Sequence, residues 1–294
     1  WITAGDNIRV ENIEFSGAAV TNTIGAGIRH EGGDLTLHNT FFHENEFSIL
    51  TGELPEASIE ISSSRFWHQK RPKRHSHGIY IGAVRRLSLT GSHFKGTDQG
   101  HQVKSRAREN HILYNRIEDV KGGNSSRLID LPNCGLSFVI GNDLHQAATS
   151  ENFNAIGYGP EGCERRTEKQ MRLYVLHNTF VNEATNGSLV RNFAGGDVLT
   201  ANNLIFGQGK ILVGDGTVRA NLQLPLDERI PGAWDAPRGS AAIDAAAALT
   251  PADGVSLTPT AQFDPPGGTR DRPTAGRLDI GARESTPEPR TLPE

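Results

Sequence analysis

The pentapeptide LHNTF occurs twice, at 37–41 and at 176–180, and looser copies lie between and around the two. VENIEF ends at Phe15, LTLHNTFF at Phe42, IEISSSRF at Phe66 and LSLTGSHF at Phe94; LYNRI, IGNDL and ANNLI follow at 113–117, 140–144 and 201–205. Aligned on the polar position that breaks each strand, the copies fall at Asn12, Asn39, Ser63, Gly91, Asn115, Asn142, Asn178 and Asn203. The spacings are 27, 24, 28, 24, 27, 36 and 25. A sustained period of this kind is the signature of stacked repeats. Helical repeats need longer stretches of 3.6-residue periodicity, which are absent. Propeller blades run to about 40 residues. Short alternating strands at this shorter period fit a parallel β-helix.

A second strand precedes each copy: AGIRH (26–30), FSILT (47–51), HGIYIG (77–82), HQVKSR (101–106), RLIDL (127–131), NAIGYG (154–159), SLVRN (188–192) and KILVG (210–214). Alternation along these strands predicts an inner column of Ile28, Ile49, Ile79, Val103, Ile129, Ile156, Val190 and Leu212. The outer column is then Arg29, Leu50, Tyr80, Lys104, Asp130, Gly157, Arg191 and Val213. The polar turn column is expected to stack as an amide ladder and the Phe column to fill the interior.

The expected fold is therefore all-β: a right-handed parallel β-helix of about eight coils over 1–215, followed by an irregular C-terminal extension over 216–294. The extension carries GSAAIDAA (239–246) and RPTAGRLDIGARE (272–284). It is expected to run back along the solenoid and cover one side, with a disordered end. The one long spacing carries an insertion at 159–171, which should project as a loop beside the preceding coil. Residues 68–77 form a strongly basic loop.

Composition narrows the function classes. The formal net charge of −4 gives no global attraction to nucleic acid. No apolar run is long enough to span a membrane. No signal peptide is present, and the start at WITAGDN reads as a processed terminus, so a secreted or periplasmic, monomeric protein is expected. Two cysteines, Cys134 and Cys163, are too few for a zinc cage; one disulfide and two free thiols stay equally open.

GHQVKSRA (100–107) places two cations, Lys104 and Arg106, two residues apart on a strand, together with Gln102; His101, Val103 and Ser105 are expected on the opposite face. The neighbouring rungs supply Tyr80 and Asp130. A lone Lys–Asp pair on a solenoid surface is ordinarily a solvated ladder pair of little energetic weight. Convergence argues otherwise here: His75, His77 and His101 lie at strand entrances, Arg127 and Asn133 flank Asp130, and Tyr158 and Glu161 come from the next coil and the insertion. Such a cluster beside a loop wall is the default site.

Arg106 and the basic loop suit a uronic-acid polymer, because a guanidinium binds a carboxylate in bidentate fashion. With that carboxylate neutralised, Lys104 can remove the proton beside it, while Tyr80 or His101 protonates the leaving oxygen. This is β-elimination. Lys104, Arg106, Tyr80, His101 and Asp130 are the expected catalytic group; His75, His77, Arg127, Asn133, Tyr158 and Glu161 are the expected substrate contacts. Glycoside hydrolysis needs two carboxylates, for which Asp130 and Glu161 are the available pair. A C5-epimerase and a non-catalytic glycan-binding module are the remaining alternatives.

The run VKSRARENHILYNRIED (103–119) resembles the pectin-lyase-like right-handed parallel β-helix superfamily, and within it polysaccharide lyase family six, the alginate lyase and chondroitinase B type. The resemblance covers roughly 5–215 and implies that Lys104 is the catalytic base. Two departures accompany it. The family's acid is an Arg in a Leu-Arg-His-Gly context, where this chain reads LIDLPNCG (128–135). The family's calcium is held by acidic residues on the preceding coil, where this chain reads HGIYIG. Calcium is thus possible but unsupported, and no cofactor is expected. The GHQVKSRA and IDLPN segments also resemble β-helix repeat proteins with no assigned substrate.

Overall fold

The computed structural model describes residues 1–21, 25–69, 76–273 and 276–285. Three parallel sheets of nine strands each wrap one interior, in the manner of a right-handed β-helix. Each sheet takes every third strand of the chain. The first sheet includes His77–Ile81, Val103–Ser105, Ile129–Leu131 and Asn154–Tyr158. The second includes Val84–Thr90, Glu109–Leu113 and Leu136–Ile140, and the third His93–Thr97, Arg116–Glu118 and Asp143–Gln146. The ladders continue to Leu222–Leu224, so the last rung runs past residue 215.

The inner column of the first sheet stacks as expected, with Ile28 opposite Ile49, then Ile79, Val103, Ile129, Ile156, Val190 and Leu212 in register. In the third sheet Phe15, Phe42, Phe66 and Phe94 stack ring on ring, with centroids 4.8, 5.3 and 4.4 Å apart. Each burial stabilises by about 2 kcal/mol through the area removed from water.

The polar column differs from the expected one in its first half. The ladder runs through buried Thr40, Ser64, Ser92, Asn115, Asn142, Asn178 and Asn203 and ends on half-buried Asn221. Each amide from Asn115 onward donates to the next Oδ1 at 2.7–3.0 Å, and that Oδ1 also accepts the backbone N–H above it. Asn12, Asn39, Ser63 and Gly91 sit one residue earlier, where the chain takes a positive φ of 48–58° to leave the second sheet. Asn and Gly tolerate that conformation. The two LHNTF copies consequently occupy different registers. Asn39 is the left-handed residue of its rung and Phe42 the inward ring, whereas His177 is left-handed, Asn178 joins the ladder and Phe180 points inward.

The C-terminal extension packs on the second and third sheets. Trp234, Ala236 and Ile280 cover Val181, Leu204 and Phe206, while Leu257 covers Phe138 and Ile140. It reaches back as far as Gly91, whose carbonyl accepts from the Gly268 N–H, and includes the antiparallel pair Ala261–Phe263 and Thr269–Asp271. The described part of the extension leaves the outer face of the first sheet uncovered at the Tyr80–Lys104–Asp130 row. Residues 70–75 of the basic loop, His75 among them, and the chain end beyond 285 lie outside the described residues. Among the described residues no helix is long and apolar enough to cross a membrane.

Candidate functional site

Tyr80, Lys104 and Asp130 face one another on three successive rungs, as the outer column predicts. Rungs lie about 4.8 Å apart, so the side chains meet. Lys104 Nζ is 3.5 Å from Asp130 Oδ2 and lies 5.6 Å from the centre of the Tyr80 ring. Arg127 donates from Nη1 to Asp130 Oδ1 at 2.8 Å. Arg127 reaches over Gly157, the next rung's outer residue. A Cβ there would sit 2.8 Å from the Arg127 side chain, so glycine makes room for the ion pair.

The strand at the centre of the site is only three residues long, Val103–Ser105, so alternation stops on either side of it. Gln102 is buried rather than outward; it accepts from the Thr97 hydroxyl at 2.7 Å and donates to the Glu118 carbonyl at 3.2 Å. His101 lies on the Lys104 side rather than with Val103, its Nε2 3.5 Å from Asp130 Oδ2. The His77 and His101 rings stack at 5.1 Å. The His101 backbone N–H donates to His77 Nδ1 and the Arg127 N–H to His101 Nδ1, at 2.9 and 3.1 Å. Both Nδ1 atoms are therefore acceptors, and the ring proton sits on Nε2. Arg106, just past the strand, turns its guanidinium toward the row. Its Nε donates to the Tyr80 hydroxyl at 3.0 Å and its Nη1 to Asn133 Oδ1.

The insertion completes the site. Its start turns at Gly159, whose φ of 75° is left-handed, and a Cys134–Cys163 disulfide ties it to the previous coil. Arg166 donates to the Asn133 and Arg106 carbonyls at 2.9 and 2.7 Å, and Asn133 donates to the Gly162 carbonyl at 3.2 Å. This frame carries Glu161 onto the cations: Oε1 is 3.0 Å from Lys104 Nζ and Oε2 is 2.7 Å from Arg106 Nη1. Tyr158, expected to contact substrate, does not. It is fully buried and its hydroxyl donates to the Gly135 carbonyl at 3.0 Å. As the residue after outward Gly157 it points inward by simple alternation.

The two carboxyls titrate in opposite directions. Burial pushes Asp130 above the usual carboxylate range, against the pull of Lys104 and Arg127. Glu161 is lowered to about 2, first by its hydrogen bond from Arg106 and then, against partial burial, by Lys104. Two cavities flank the row. One of about 560 Å³ is bounded by Glu53, Tyr80, Arg106, Asn133 and Glu161; the other, about 420 Å³, by His77, His101, Lys104, Arg127 and Glu151. They sit at opposite ends of the same short strands, so a chain lying along the strands would fill both with Lys104 between them.

Among the described residues no group of three or more His, Cys, Asp or Glu side chains converges to hold a metal. Arg166 and the wall residue Glu151 were not foreseen from the sequence; each lies in a segment without alternation, where nothing ties sequence position to direction. Scans of protein-family models, curated proteins and solved structures find no match to the chain.

Proposed function

We propose that the protein is a polysaccharide lyase that cleaves an acidic, uronic-acid-containing glycan by β-elimination. One observation carries the reading: Lys104 and Arg106 jointly hold a carboxylate, that of Glu161, beside the Tyr80 hydroxyl. A substrate uronate seated there has its charge neutralised by Arg106, which acidifies the adjoining C–H. Lys104, held as a cation while the carboxylate seats, gives up its own proton to solvent and as the free amine takes the one on that carbon. The released electron pair forms a carbon–carbon double bond as the bond to the glycosidic oxygen breaks. The departing oxygen takes a proton from Tyr80, whose phenolate Arg106 Nε then stabilises. Tyr80 suits the acid role better than His101, whose Nε2 faces Asp130 Oδ2 at 3.5 Å. Asp130 orients Lys104, and His77 and His101 bound the cavity for the adjoining sugar. The resemblance of the V-K-S segment to polysaccharide lyase family six agrees with Lys104 as base, while the acid is a different residue type. The disulfide favours a secreted or periplasmic setting.

A second reading, retaining glycoside hydrolysis, is favoured by the carboxyl pair. Asp130 and Glu161 lie 3.5 and 3.0 Å from the same Nζ, so these oxygens are no more than about 6.5 Å apart, compatible with the retaining arrangement. Their opposite titration also matches an acid and a nucleophile. Against it, Asp130 is almost wholly enclosed behind Lys104. The discriminating experiment supplies pectate, alginate, hyaluronan and chondroitin and follows ultraviolet absorbance and reducing ends. The lyase produces an absorbing unsaturated uronate and loses that activity in Lys104→Ala. New reducing ends without absorbance, lost in Asp130→Asn and kept in Lys104→Ala, establish hydrolysis instead.

A further inference from the structure

We infer that Glu161 is an internal occupant of the substrate's carboxylate seat, and that it restricts the site to ligands bringing a carboxylate of their own. The inference rests on the proposed function in taking that seat for the substrate's.

Four observations carry it. Glu161 does not belong to the solenoid: it comes from the insertion that stretches one repeat to 36 residues. It engages both cations at once, one oxygen on Lys104 Nζ at 3.0 Å and the other on Arg106 Nη1 at 2.7 Å, the way a uronate would. It sits at the mouth. Its side chain is 44% exposed, against 11% for Lys104 and 22% for Arg106. Solvent and ligands therefore reach the anion before the cations. Finally, its backbone is anchored on both sides. The Glu161 N–H donates to the Pro132 carbonyl at 2.9 Å, and two residues later Cys163 is bridged to Cys134. Displacement is then a rotation of the Glu161 side chain with the loop still in place.

The exchange has a simple electrostatic consequence. A uronate that displaces Glu161 leaves Lys104 and Arg106 paired, so the charge balance of the seat is unchanged. A neutral sugar that displaces it strands two partly buried cations, which is unfavourable. Protonation does not empty the seat at neutral or mildly acidic pH, since Glu161 titrates near about 2. Competition by another anion does.

The test is calorimetric and needs no turnover. Galacturonate, glucuronate and their neutral parents, galactose and glucose, are titrated into the full chain and its Glu161→Gln variant, with thermal unfolding as the check that the half-exposed change is tolerated. A uronate is expected to bind the variant at least about tenfold more tightly than the unchanged chain, while the neutral sugars bind neither. Equal or weaker uronate binding to the variant overturns the inference, as does failure of both proteins to bind any uronate, or neutral-sugar binding as tight as uronate binding to the unchanged chain. The two readings fail separately. Tightened uronate binding with no unsaturated product from any polymer removes the lyase and keeps the seat. Lyase activity with unchanged affinity in Glu161→Gln does the reverse.

Discussion

The Asp130 carboxyl lies directly below Lys104 on the next rung, and it is the more enclosed of the two: 2% of its side chain is exposed, and Nζ stands 3.5 Å from Oδ2. Removing Lys104 would strip Asp130 of one of its two cations. Lys104→Ala is therefore expected to abolish the proposed activity, by about a thousandfold or more, and also to lower stability. Lys104→Arg separates the effects: a cation remains for Asp130 while no base is available near neutral pH. Unfolding midpoints and initial rates on a uronate polymer, measured side by side, read both.

Tyr80→Phe keeps the ring beside Lys104 and Arg106 and removes only the hydroxyl that accepts from Arg106 Nε. As the proposed acid it should lower kcat by about a hundredfold with KM nearly unchanged. A rise in KM at constant kcat would assign the hydroxyl to binding.

Stability should depend on pH through Asp130 and Glu161 with opposite signs. The folded Asp130 holds its proton above the ordinary value of 3.8, where the unfolded chain has released it, so this group destabilises as pH rises through that window. The midpoint of Asp130→Asn relative to the unchanged chain should climb as pH rises above 3.8. Glu161 is lowered from 4.5 to about 2, so its contribution is complete above 4.5 and fades as pH falls toward 2. A Glu161→Gln deficit that persists unchanged at pH 3 would contradict this.

The two kinds of polar residue at the sheet corner should respond differently to truncation. Asn142 is buried; it donates to the Ile112 carbonyl and Asn178 Oδ1, both at 2.9 Å, and accepts from the Asn115 side chain. Asn142→Ala leaves several of these groups unpaired and should cost about 3 kcal/mol in denaturant unfolding. Asn39, at φ 48°, makes one exposed side-chain bond to Asn12. Asn39→Ala should cost about 1 kcal/mol, and Asn39→Gly less.

The disulfide spans 29 residues and frames Asn133 and Glu161. Cys134→Ala with Cys163→Ala should lower stability by about 3 kcal/mol, and should tighten uronate binding, because the Glu161 loop is then tethered chiefly by Arg166. Thiol titration of the unreduced protein should find no free cysteine.

The first sheet was legible along its Tyr80–Lys104–Asp130 row, while Tyr158 at a strand end turned inward against expectation. Its strands alternate strictly, so Val103 inward and Lys104 outward follow from the pattern alone, as do Tyr80 and Asp130 at the same height. Legibility ended where the ladder did. His101 and Gln102 exchange their expected faces because the strand begins only at Val103. The amide ladder was misread by one position at Asn39 because two adjacent corner positions both favour Asn, one for its tolerance of positive φ and the other for its stacking amide. Glu161 was legible as a residue near the site; its seat between Lys104 and Arg106 was not, because it depends on a disulfide whose formation the sequence left open.

Solenoids ordinarily melt like zippers, each rung depending only on its neighbours. The C-terminal extension changes that. Asp143, wholly enclosed in the middle of the third sheet, is shared between Arg116 on the preceding rung and Arg283 near the other end of the chain. Along the way the extension bonds Gly91, Tyr114 and Asn202, which belong to rungs far apart in the stack. A rung in the covered middle cannot fray without releasing the strap, and the strap cannot lift without exposing Trp234 and Phe263. The covered part of the array is therefore expected to unfold as a single cooperative block, and the open first sheet stays level because its rungs are braced from behind.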